Sequence, residues 1–363
     1  MKSTNSQENS RFPQEQQRSR EARVPQDSRI SRQSRISHDS QEFHDVQEPQ
    51  ESQESQESRG SRRTRVTVVG EALVDLLWRA GAREVHAAPG GSPANVAVGL
   101  HRLERPVTLL TSWGDDPPGE LVRDHLDGIG VDVRRVPAGP GRTIVALAYV
   151  GPDGAATYDF LASWDPRALE VPEDTAVLHT GSLAAVVEPG ATRVLELCGE
   201  QRRAGRAVAA DLNVRPAVQP DPDAYRAGAA RLAGAGDVLK ASDEDLAWLY
   251  PGQEPTAAAR ALLAAGPGLV VVTLGGKGAF AVTRDGDEVW VPAPGIAVVD
   301  TVGAGDTFQA ALLDAIAEHG GPPTGREALS AVLTRCATAA AITCTRVGAD
   351  PPTRAELTAF SQP

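Results

Sequence analysis

The chain has 363 residues, a formal net charge of -12 and three cysteines. This length fits one large or two ordinary domains, and the acidic balance argues against nucleic acid as the main partner. The cysteines form no CxxC pair, which argues against a zinc site or a disulfide framework. No run reaches the roughly 18 apolar residues of a membrane span, and no apolar run follows the basic residues near the start. We therefore expect no membrane association and a cytoplasmic location.

Residues 1–64 consist mostly of Ser, Gln, Arg and Glu, with repeats such as "ESQESQESR". Their few apolar side chains cannot offset the entropy lost on ordering, so we expect a disordered, low-complexity extension. A basic arm or a phosphorylated regulatory segment is the alternative, because Ser-Arg pairs attract kinases and acidic partners.

From Arg65 onward, short β-branched runs alternate with stretches of helical spacing. The runs include "RVTVV", "VTLLT", "AVLHT", "AVAAD", "DVLKAS" and "GLVVVT". This alternation is typical of an α/β fold, with a doubly wound, mostly parallel sheet and helices on both faces. We assign residues 65–363 to one such domain.

A second kind of segment interrupts the alternation. The stretch "TIVALAYVGPDGAATYDFLA" reads as two strands around a Gly-Pro-Asp-Gly turn, which is a hairpin signal. Residues 77–90 offer partner strands. Together, residues 77–90 and 142–163 predict a small β-sheet that covers the mouth of the main sheet as a lid.

Ligands of open α/β sheets bind beyond the carboxyl ends of the strands. Polar and glycine residues gather after the predicted strands here, so we expect them at one rim of the sheet. They are Asp75, Gly90 to Asn95, Asp211 to Arg215, Lys240 to Asp245, Thr273 to Gly278 and Asp300 to Asp306.

The stretch "DTVGAGDTFQAALLDAI" starts at Asp300 and leads into an apolar pattern at helical spacing, which predicts a helix start near Gly305 or Asp306. Small residues before the helix let an anion approach its free N–H groups. Asp306 could then take a proton from a hydroxyl group while these N–H groups stabilise a phosphoryl group. The alternatives are a capping box of Asp306 with Gln309, and an Asp300 that only forms a turn.

Two further segments, one at the start of a predicted helix and one at the end of a predicted strand, contain residues that can bind a ligand. In "GGSPANVAVGL", a Gly-Gly pair precedes a second helix, and Asn95 offers donors and an acceptor for sugar hydroxyls unless it is the N-cap. Asp75 is an acceptor for paired hydroxyls or an ordinary surface carboxylate. The Gly-Gly-Lys-Gly turn after "VVVT" could hold a nucleotide through its backbone, although hairpins use similar turns.

Together, "GGSPAN" and "DTVGAGD" resemble the two patterns of the ribokinase-like (PfkB) carbohydrate kinases, and the resemblance covers roughly Thr64 to Thr358. The stretches "GEALVDLL", "DLNVRP" and "VLKASDEDLAWL" are most similar to its fructokinase-like branch. The resemblance implies a ribokinase-like fold with a β lid. It also implies transfer of the ATP γ-phosphoryl group to a sugar hydroxyl, with Mg²⁺ and, in some members, K⁺.

The resemblance also implies site residues, position by position. Asp306 matches the catalytic base, and Gly303, Ala304 and Gly305 match the anion hole. Asp75, Gly91 and Asn95 match sugar-binding positions, and we add Gly90 and Arg215 from their place at the rim. Thr273, Gly275 and Gly278 match the nucleotide turn, and we add Lys240 and Ser242 to the ATP-binding positions. Asp245 matches a residue that binds Mg²⁺ through water, and Asp300 matches one that helps bind a monovalent cation.

Two departures from the family concern the binding of Mg²⁺ and the identity of the sugar, respectively. The family's N-x-x-E pattern is replaced by Ser242 and the shorter Asp245, and "YDF" continues as "LASWDP" rather than with a further aromatic or basic residue. We expect fructose as the acceptor, chosen by Arg215 and the lid residues 158–164. The alternatives are 2-keto-3-deoxygluconate, ribose, a nucleoside, or a sugar-sensing pseudokinase without turnover. An oxidoreductase is disfavoured, because no GxGxxG follows the first strand. We further expect a homodimer formed through the lid.

Overall fold

The computed structural model describes residues 64–138, 141–152 and 156–360. Residues 1–63 of the predicted disordered extension (residues 1–64) lie outside this range, as do residues 153–155 at the tip of the predicted hairpin turn. Thirteen strands and nine α-helices form within the described residues. The strands are β1 Arg65–Val69, β2 Leu73–Arg79, β3 Val85–Gly90, β4 Val107–Thr111, β5 Asp132–Arg135, β6 Ile144–Val150, β7 Ala156–Leu161, β8 Thr175–Gly181, β9 Ala207–Asp211, β10 Val238–Ser242, β11 Leu269–Thr273, β12 Ala279–Thr283 and β13 Glu288–Val291.

Proline starts several of the helices, because its fixed φ suits the first turn, where a missing N–H costs nothing. It lies at the first or second position of the helices that begin at Ser92, Pro117, Pro222 and Pro255. The helices are α1 Ser92–Arg102, α2 Pro117–Ile129, α3 Gly190–Arg203, α4 Pro222–Ala235, α5 Asp243–Leu249, α6 Pro255–Ala264, α7 Ala304–His319, α8 Arg326–Cys344 and α9 Arg354–Phe360.

Nine strands form the large sheet in the order β13-β12-β11-β10-β9-β8-β1-β4-β5. All neighbours from β11 to β5 pair in parallel, and β12 and β13 add antiparallel strands at one edge. The chain runs outward from β1 in one direction through β4 and β5, and in the other direction from β8 onward. The strand order therefore reverses between β1 and β8, which is where ligands bind in such sheets.

Helices cover both faces of this sheet. One face packs against α1, α2, α7, α8 and α9 in a single apolar cluster. The other face packs against α3 to α6 in two clusters. The predicted doubly wound α/β class is thereby confirmed, with Val, Leu and Ala on both faces of the central strands.

A second sheet of four strands has the order β3-β2-β6-β7. Only β2 and β6 pair in parallel. The sheet begins at Leu73, earlier than residue 77, because only Gly70 to Ala72 separate β2 from β1. Leu73, Ile144 and Ala146 pack on Leu183, which follows β8. The small sheet thus sits beside the carboxyl ends of β1 and β8.

No helix in the described part of the chain is both long enough and apolar enough to cross a membrane.

Candidate active site

Asp306 lies in the first turn of α7. The helix begins at Ala304, directly after Gly303, whose φ of 76° lies in the left-handed region. A Cβ at Gly303 would lie 2.5 Å from the Cβ of Ala349, so a larger residue does not fit there. The first turn leaves N–H groups without intrahelical acceptors, although Ala304 donates a long 3.3 Å bond to the carbonyl of Thr301. This turn has the form of an anion-binding helix start.

Both carboxylate oxygens of Asp306 are bonded by the distant GGSPAN segment. Ser92 Oγ donates to Oδ1 at 2.6 Å, and Asn95 Nδ2 donates to Oδ2 at 2.8 Å. These side chains project from the first turn of α1, which begins after Gly91 at a φ of 106°. Two helix N-termini from opposite ends of the fold therefore meet at one carboxylate.

The capping alternatives do not hold for these helices. Gly303 and Gly91 are the N-caps of α7 and α1, and neither helix has a side-chain cap bond. Gln309 is wholly buried, and its Nε2 lies 3.3 Å from Nδ1 of His179 rather than at the helix start. Asp306 and Asn95 therefore do not serve as N-caps, and their side chains bond each other at the rim.

Asp75 and Gly90 belong to the small sheet, Arg215 lies in the loop after β9, and the charges of Arg215 and Asp306 both act on Asp75. Burial raises the pKa of Asp75 to about 6, the Arg215 charge acts to lower it, and the Asp306 charge raises it further. A Cβ at Gly90 would lie 2.4 Å from Oδ2 of Asp75, so glycine there leaves room for this carboxylate. The backbone N–H of Arg215 donates to the hydroxyl of Tyr225 at 2.9 Å, which fixes the loop after β9. A hydroxylated ligand between Asp75 and Asp306 would meet acceptors on two sides.

Lys240, Ser242 and Asp245 follow one another at the end of β10. Lys240 is buried and pairs with Asp211 of β9 through a 2.6 Å contact between Nζ and Oδ2. Ser242 caps α5 in a reciprocal capping box with Asp245. The carboxylate of Asp245 also accepts the backbone N–H of Val214 at 2.7 Å. Asp245 thus links the loops after β9 and β10, and its predicted contact with Mg²⁺ stays a prediction.

Thr273, Gly275 and Gly278 form the turn between β11 and β12. Gly278 has a φ of 106°, and a Cβ there would lie 2.1 Å from the carbonyl oxygen of Val291. Gly275 has a φ of 53°, and beyond its chain neighbours no atom of the described residues lies within 4 Å of its Cβ position. Thr273 ends β11 at the same rim as Ser242, its register partner on β10.

Asp300 joins two loops near the start of α7. Its carboxylate accepts N–H bonds from Val302 at 3.1 Å and from Gly348 at 2.8 Å. Burial acts to raise the pKa of Asp300, but the backbone bonds from Gly348, Val302 and Thr301 outweigh it and hold the pKa below its usual value. The charged carboxylate of Asp300 therefore connects two loops and does not form only a local turn.

Three residues at the rim were not singled out from the sequence. Ser92 stood inside the quoted GGSPAN motif, and Asp211 ended a predicted strand, but neither received a role of its own. Glu71 follows Gly70 directly after β1 and is 1% exposed. Its two carboxylate oxygens accept long bonds from the backbone N–H groups of Leu183 and Ala184 at 3.4 and 3.3 Å. An acidic residue next to a strand-ending glycine was the available signal.

Burial of these acids predicts a pH dependence of stability. Burial raises the pKa of Glu71 to about 7, although its own backbone N–H, Ser182, Leu183 and the Arg215 charge act to lower it. A raised pKa means that the folded chain holds its proton more tightly than the unfolded chain. The contribution of Glu71 is therefore full below its ordinary pKa of 4.5 and is lost as the pH rises through about 7.

Replacing Glu71 by glutamine is expected to remove this loss, which is about 3 kcal/mol for a shift of this size. Between pH 5 and 8, the melting temperature of Glu71→Gln should rise relative to that of the wild type as the pH increases. The exposed Glu200 provides the control, because Glu200→Gln should follow the wild type at every pH. A constant difference between wild type and Glu71→Gln would show that Glu71 does not titrate in this range.

A carboxylate at a helix N-terminus, next to a second small sheet, is compatible with a phosphotransferase that acts on a hydroxyl group. The sequence matches the model of the pfkB family of carbohydrate kinases over residues 63–356. The chain belongs to this family, and the predicted sugar kinase class is confirmed.

Relatives and solved structures agree with this assignment. A fructokinase of Klebsiella pneumoniae is 34% identical over 295 residues, which are 78% of this chain and 94% of that protein. A fructokinase of Rhizobium leguminosarum bv. trifolii is 33% identical over 254 residues, or 67% and 77% of the two chains. The crystal structure of a fructokinase double mutant from Vibrio cholerae O395 with fructose, ADP and potassium ion superimposes with a TM-score of 0.69 at 28% identity, covering 82% of this chain and 98% of that one.

Proposed function

We propose that this chain phosphorylates fructose with ATP, and that Asp306 is the catalytic base. The observation that carries the proposal is the pair of hydrogen bonds that Ser92 and Asn95 donate to Asp306 at the start of α7. Two donors orient the carboxylate, and a sugar hydroxyl that enters between Asp306 and Asp75 can give its proton to Asp306. The family membership and the fructokinase relatives support the choice of reaction and acceptor.

Different residues at the rim bind the sugar and stabilise the phosphoryl group. Asn95 and Asp75 bind sugar hydroxyls, Gly90 and Gly91 let the sugar approach the backbone, and Arg215 contributes to the choice of sugar. The N–H groups of Gly303, Ala304 and Gly305 stabilise the charge on the phosphoryl group in flight. In a loose transition state the attacking hydroxyl keeps most of its proton, so the position of Asp306 matters more than its basicity.

ATP is assigned to the carboxyl ends of β10 and β11, where Lys240, Ser242, Thr273, Gly275 and Gly278 lie. Mg²⁺ neutralises the phosphate charge when it is bound. In the described part of the chain no three His, Cys, Asp or Glu side chains cluster as metal ligands, which suits an ion held mainly by the phosphates and by water at Asp245. Asp300 is assigned to a monovalent cation, in keeping with the potassium ion in the Vibrio cholerae fructokinase structure.

One screen tests the proposal. Coupled ADP release is measured with ketohexoses, aldohexoses, pentoses, keto-deoxy acids and nucleosides, each with K⁺, with Na⁺ or without added monovalent cation. The highest kcat/KM is expected for fructose. A different best acceptor would replace fructose, and ligand binding without any ADP release would favour the sugar-sensing alternative.

The domain boundary is part of the proposal. We place an extension at residues 1–64 and the kinase domain at residues 65–363, with the small sheet as its lid. Removing residues 1–60 is therefore expected to leave both kcat and melting temperature unaltered, and the screen run on the shortened chain checks this. A large loss of either quantity would show that the extension contributes to the kinase domain.

We assign the outer face of the lid to a homodimer. Trp78, Val85 and Tyr149 lie on one face in register, between 38 and 44% exposed, and the Trp78 and Tyr149 rings are 5.9 Å apart. Large apolar side chains on a solvent face mark interaction surfaces. Sedimentation velocity should show a dimer that Tyr149→Arg weakens, and a wild-type monomer at micromolar concentration would contradict the assignment.

The location and the remaining partners follow from the same reaction. We place the chain in the cytoplasm, where ATP is supplied, and assign it no nucleic-acid partner, because its net charge is -12. Cell fractionation and a gel-shift assay with duplex DNA and RNA at low salt check the two statements, and a membrane-bound pool or a shifted band would contradict them.

A further inference from the structure

A buried ion pair lies at the carboxyl ends of β9 and β10. Lys240 Nζ contacts Asp211 Oδ2 at 2.6 Å, and the side chains are 4% and 3% exposed. The two residues are register partners in neighbouring parallel strands, so their side chains leave the same face of the sheet. Two residues earlier in each strand, Ala209 and Val238 belong to the apolar cluster that contains α7. The pair therefore lies on the face that α7 covers.

The ammonium group of this pair lies behind the anion-binding turn. A Cβ built at Gly305 would be 3.8 Å from Lys240 Nζ. The start of a helix carries a partial positive charge, so a buried ammonium group beside it is unfavourable without a counter-charge. Asp211 supplies that counter-charge while the turn holds no anion. A phosphate in the turn would be attracted by the helix N-terminus and by Lys240 together.

Other charged groups surround the pair, and they act mainly on Asp211. Burial raises the pKa of Asp211 to about 6, Lys240 lowers it, and the charges of Asp245 and Asp306 raise it again. His179 of β8 faces the same space, but burial lowers its pKa to about 3, so it is neutral and adds no charge. Asp211 Oδ1 has no hydrogen-bond partner among the residues that the structure describes. The Lys240 contact is thus what keeps Asp211 ionised.

We propose that Asp211 is a positioning residue that holds a charged Lys240 behind the anion-binding turn, so that the ammonium group strengthens the binding of the ATP phosphates. The inference rests on the proposed ATP site and assigns Asp211 a task that acts only through Lys240. Asp211 itself touches no reacting atom. Its removal should therefore change phosphate affinity and the proton balance of binding, rather than sugar affinity.

Asp211→Asn gives the direct test. Asparagine has nearly the same shape, but it leaves the buried ammonium group without a counter-charge, and the free protein then favours a neutral Lys240. Binding of ADP has to restore the charge and takes up a proton. At pH 8 we expect affinity for ADP to fall about tenfold to hundredfold, with an uptake of up to one more proton per ADP than in the wild type. Titration calorimetry in HEPES and in Tris measures both quantities, because the two buffers differ in ionisation enthalpy.

A matched control separates this effect from the general cost of disturbing a buried acid. Asp314 is another fully buried aspartate, on α7 itself, bound by Arg105, Arg335 and Arg354. Asp314→Asn should lower the melting temperature but keep the wild-type ADP affinity and proton count. Equal changes in Asp211→Asn and Asp314→Asn would reduce Asp211 to a structural role and overturn the proposal.

Lys240→Met keeps the test decisive if Asp211→Asn does not fold. This variant should lose ADP affinity by a similar factor without added proton uptake, since no ammonium group is left to recharge. A folded Lys240→Met protein with wild-type ADP affinity would overturn the proposal. Calorimetry measures ADP binding and needs no turnover. If the sugar screen gave no ADP release, the proposed function would be contradicted, but the calorimetric result on Asp211 would still hold.

Discussion

Asp306→Asn is expected to lower kcat by about two to four orders of magnitude, the usual contribution of a positioned general base. The amide cannot accept a proton from the sugar at neutral pH. One of its two polar atoms still accepts a bond from Ser92, so the first turn of α7 should keep its position and ADP binding should stay nearly unchanged. Steady-state ADP release with the best acceptor of the screen measures kcat, and calorimetry measures ADP affinity.

Glu318→Gln is the matched control for this variant. Glu318 lies on the same helix, and its exposed carboxylate accepts a bond from Nη1 of Arg335 at 3.3 Å. An exposed pair of this kind contributes at most about 1 kcal/mol, so kcat should equal that of the wild type. A kcat of Asp306→Asn within tenfold of the wild type would remove Asp306 from the role of base.

Gly91→Ala is expected to damage stability and catalysis together. The backbone of Gly91 has a φ of 106°, and an added Cβ would lie 2.7 Å from the carbonyl oxygen of Glu71 and 3.2 Å from Cα of Ala72. These are backbone atoms and cannot rotate away, so the start of α1 must shift. The bonds of Ser92 and Asn95 to Asp306 then lengthen. We expect a loss of about 2 to 4 kcal/mol in the free energy of unfolding and at least a tenfold lower kcat/KM, because misplacement of about 1 Å has such effects.

Gly252→Ala isolates the backbone strain from the collision. Gly252 has a φ of 79°, but in the described part of the chain no atom beyond its neighbours lies within 4 Å of its Cβ position. Its replacement should cost about 1 kcal/mol and leave kcat/KM unaltered. Chemical denaturation and ADP release on both variants give the comparison. If Gly91→Ala behaves like Gly252→Ala in both assays, the contact between Gly91 and the Glu71 carbonyl does not position the active site.

The fold class was accessible from the sequence because each strand and helix carries its own signal. Short β-branched runs such as Arg65–Val69 and Leu269–Thr273 are buried on both faces, and buried parallel strands read as continuous apolar runs. The predicted start of α7, near Gly305 or Asp306, is one or two residues from the observed start at Ala304, since glycines and helical spacing mark it. The sequence did not indicate that the small sheet begins at Leu73, because strand edges depend on their partners.

The site was accessible only in part. The GGSPAN and DTVGAGD motifs indicated two helix starts, but no local pattern says that Ser92 and Asn95 bond the two oxygens of Asp306. The same limit applies to Asp211, which reads as the polar end of a strand until Lys240 of the next strand lies beside it. Capping and catalysis use the same residue types at helix starts, so the capping reading of Asp306 could be rejected only from the three-dimensional contacts.

The bonds at Asp306 span 214 and 211 residues of the chain. Closing so long a loop costs entropy that only the finished core can offset, and contacts of such separation form late in folding. A nascent chain has no carboxylate opposite Ser92 and Asn95 until all strands of the large sheet have emerged, because α7 follows all of them in the chain. Enzyme turnover therefore reports on the completeness of folding: in a refolding reaction, activity should return with the last native contacts, after the helical signal has recovered.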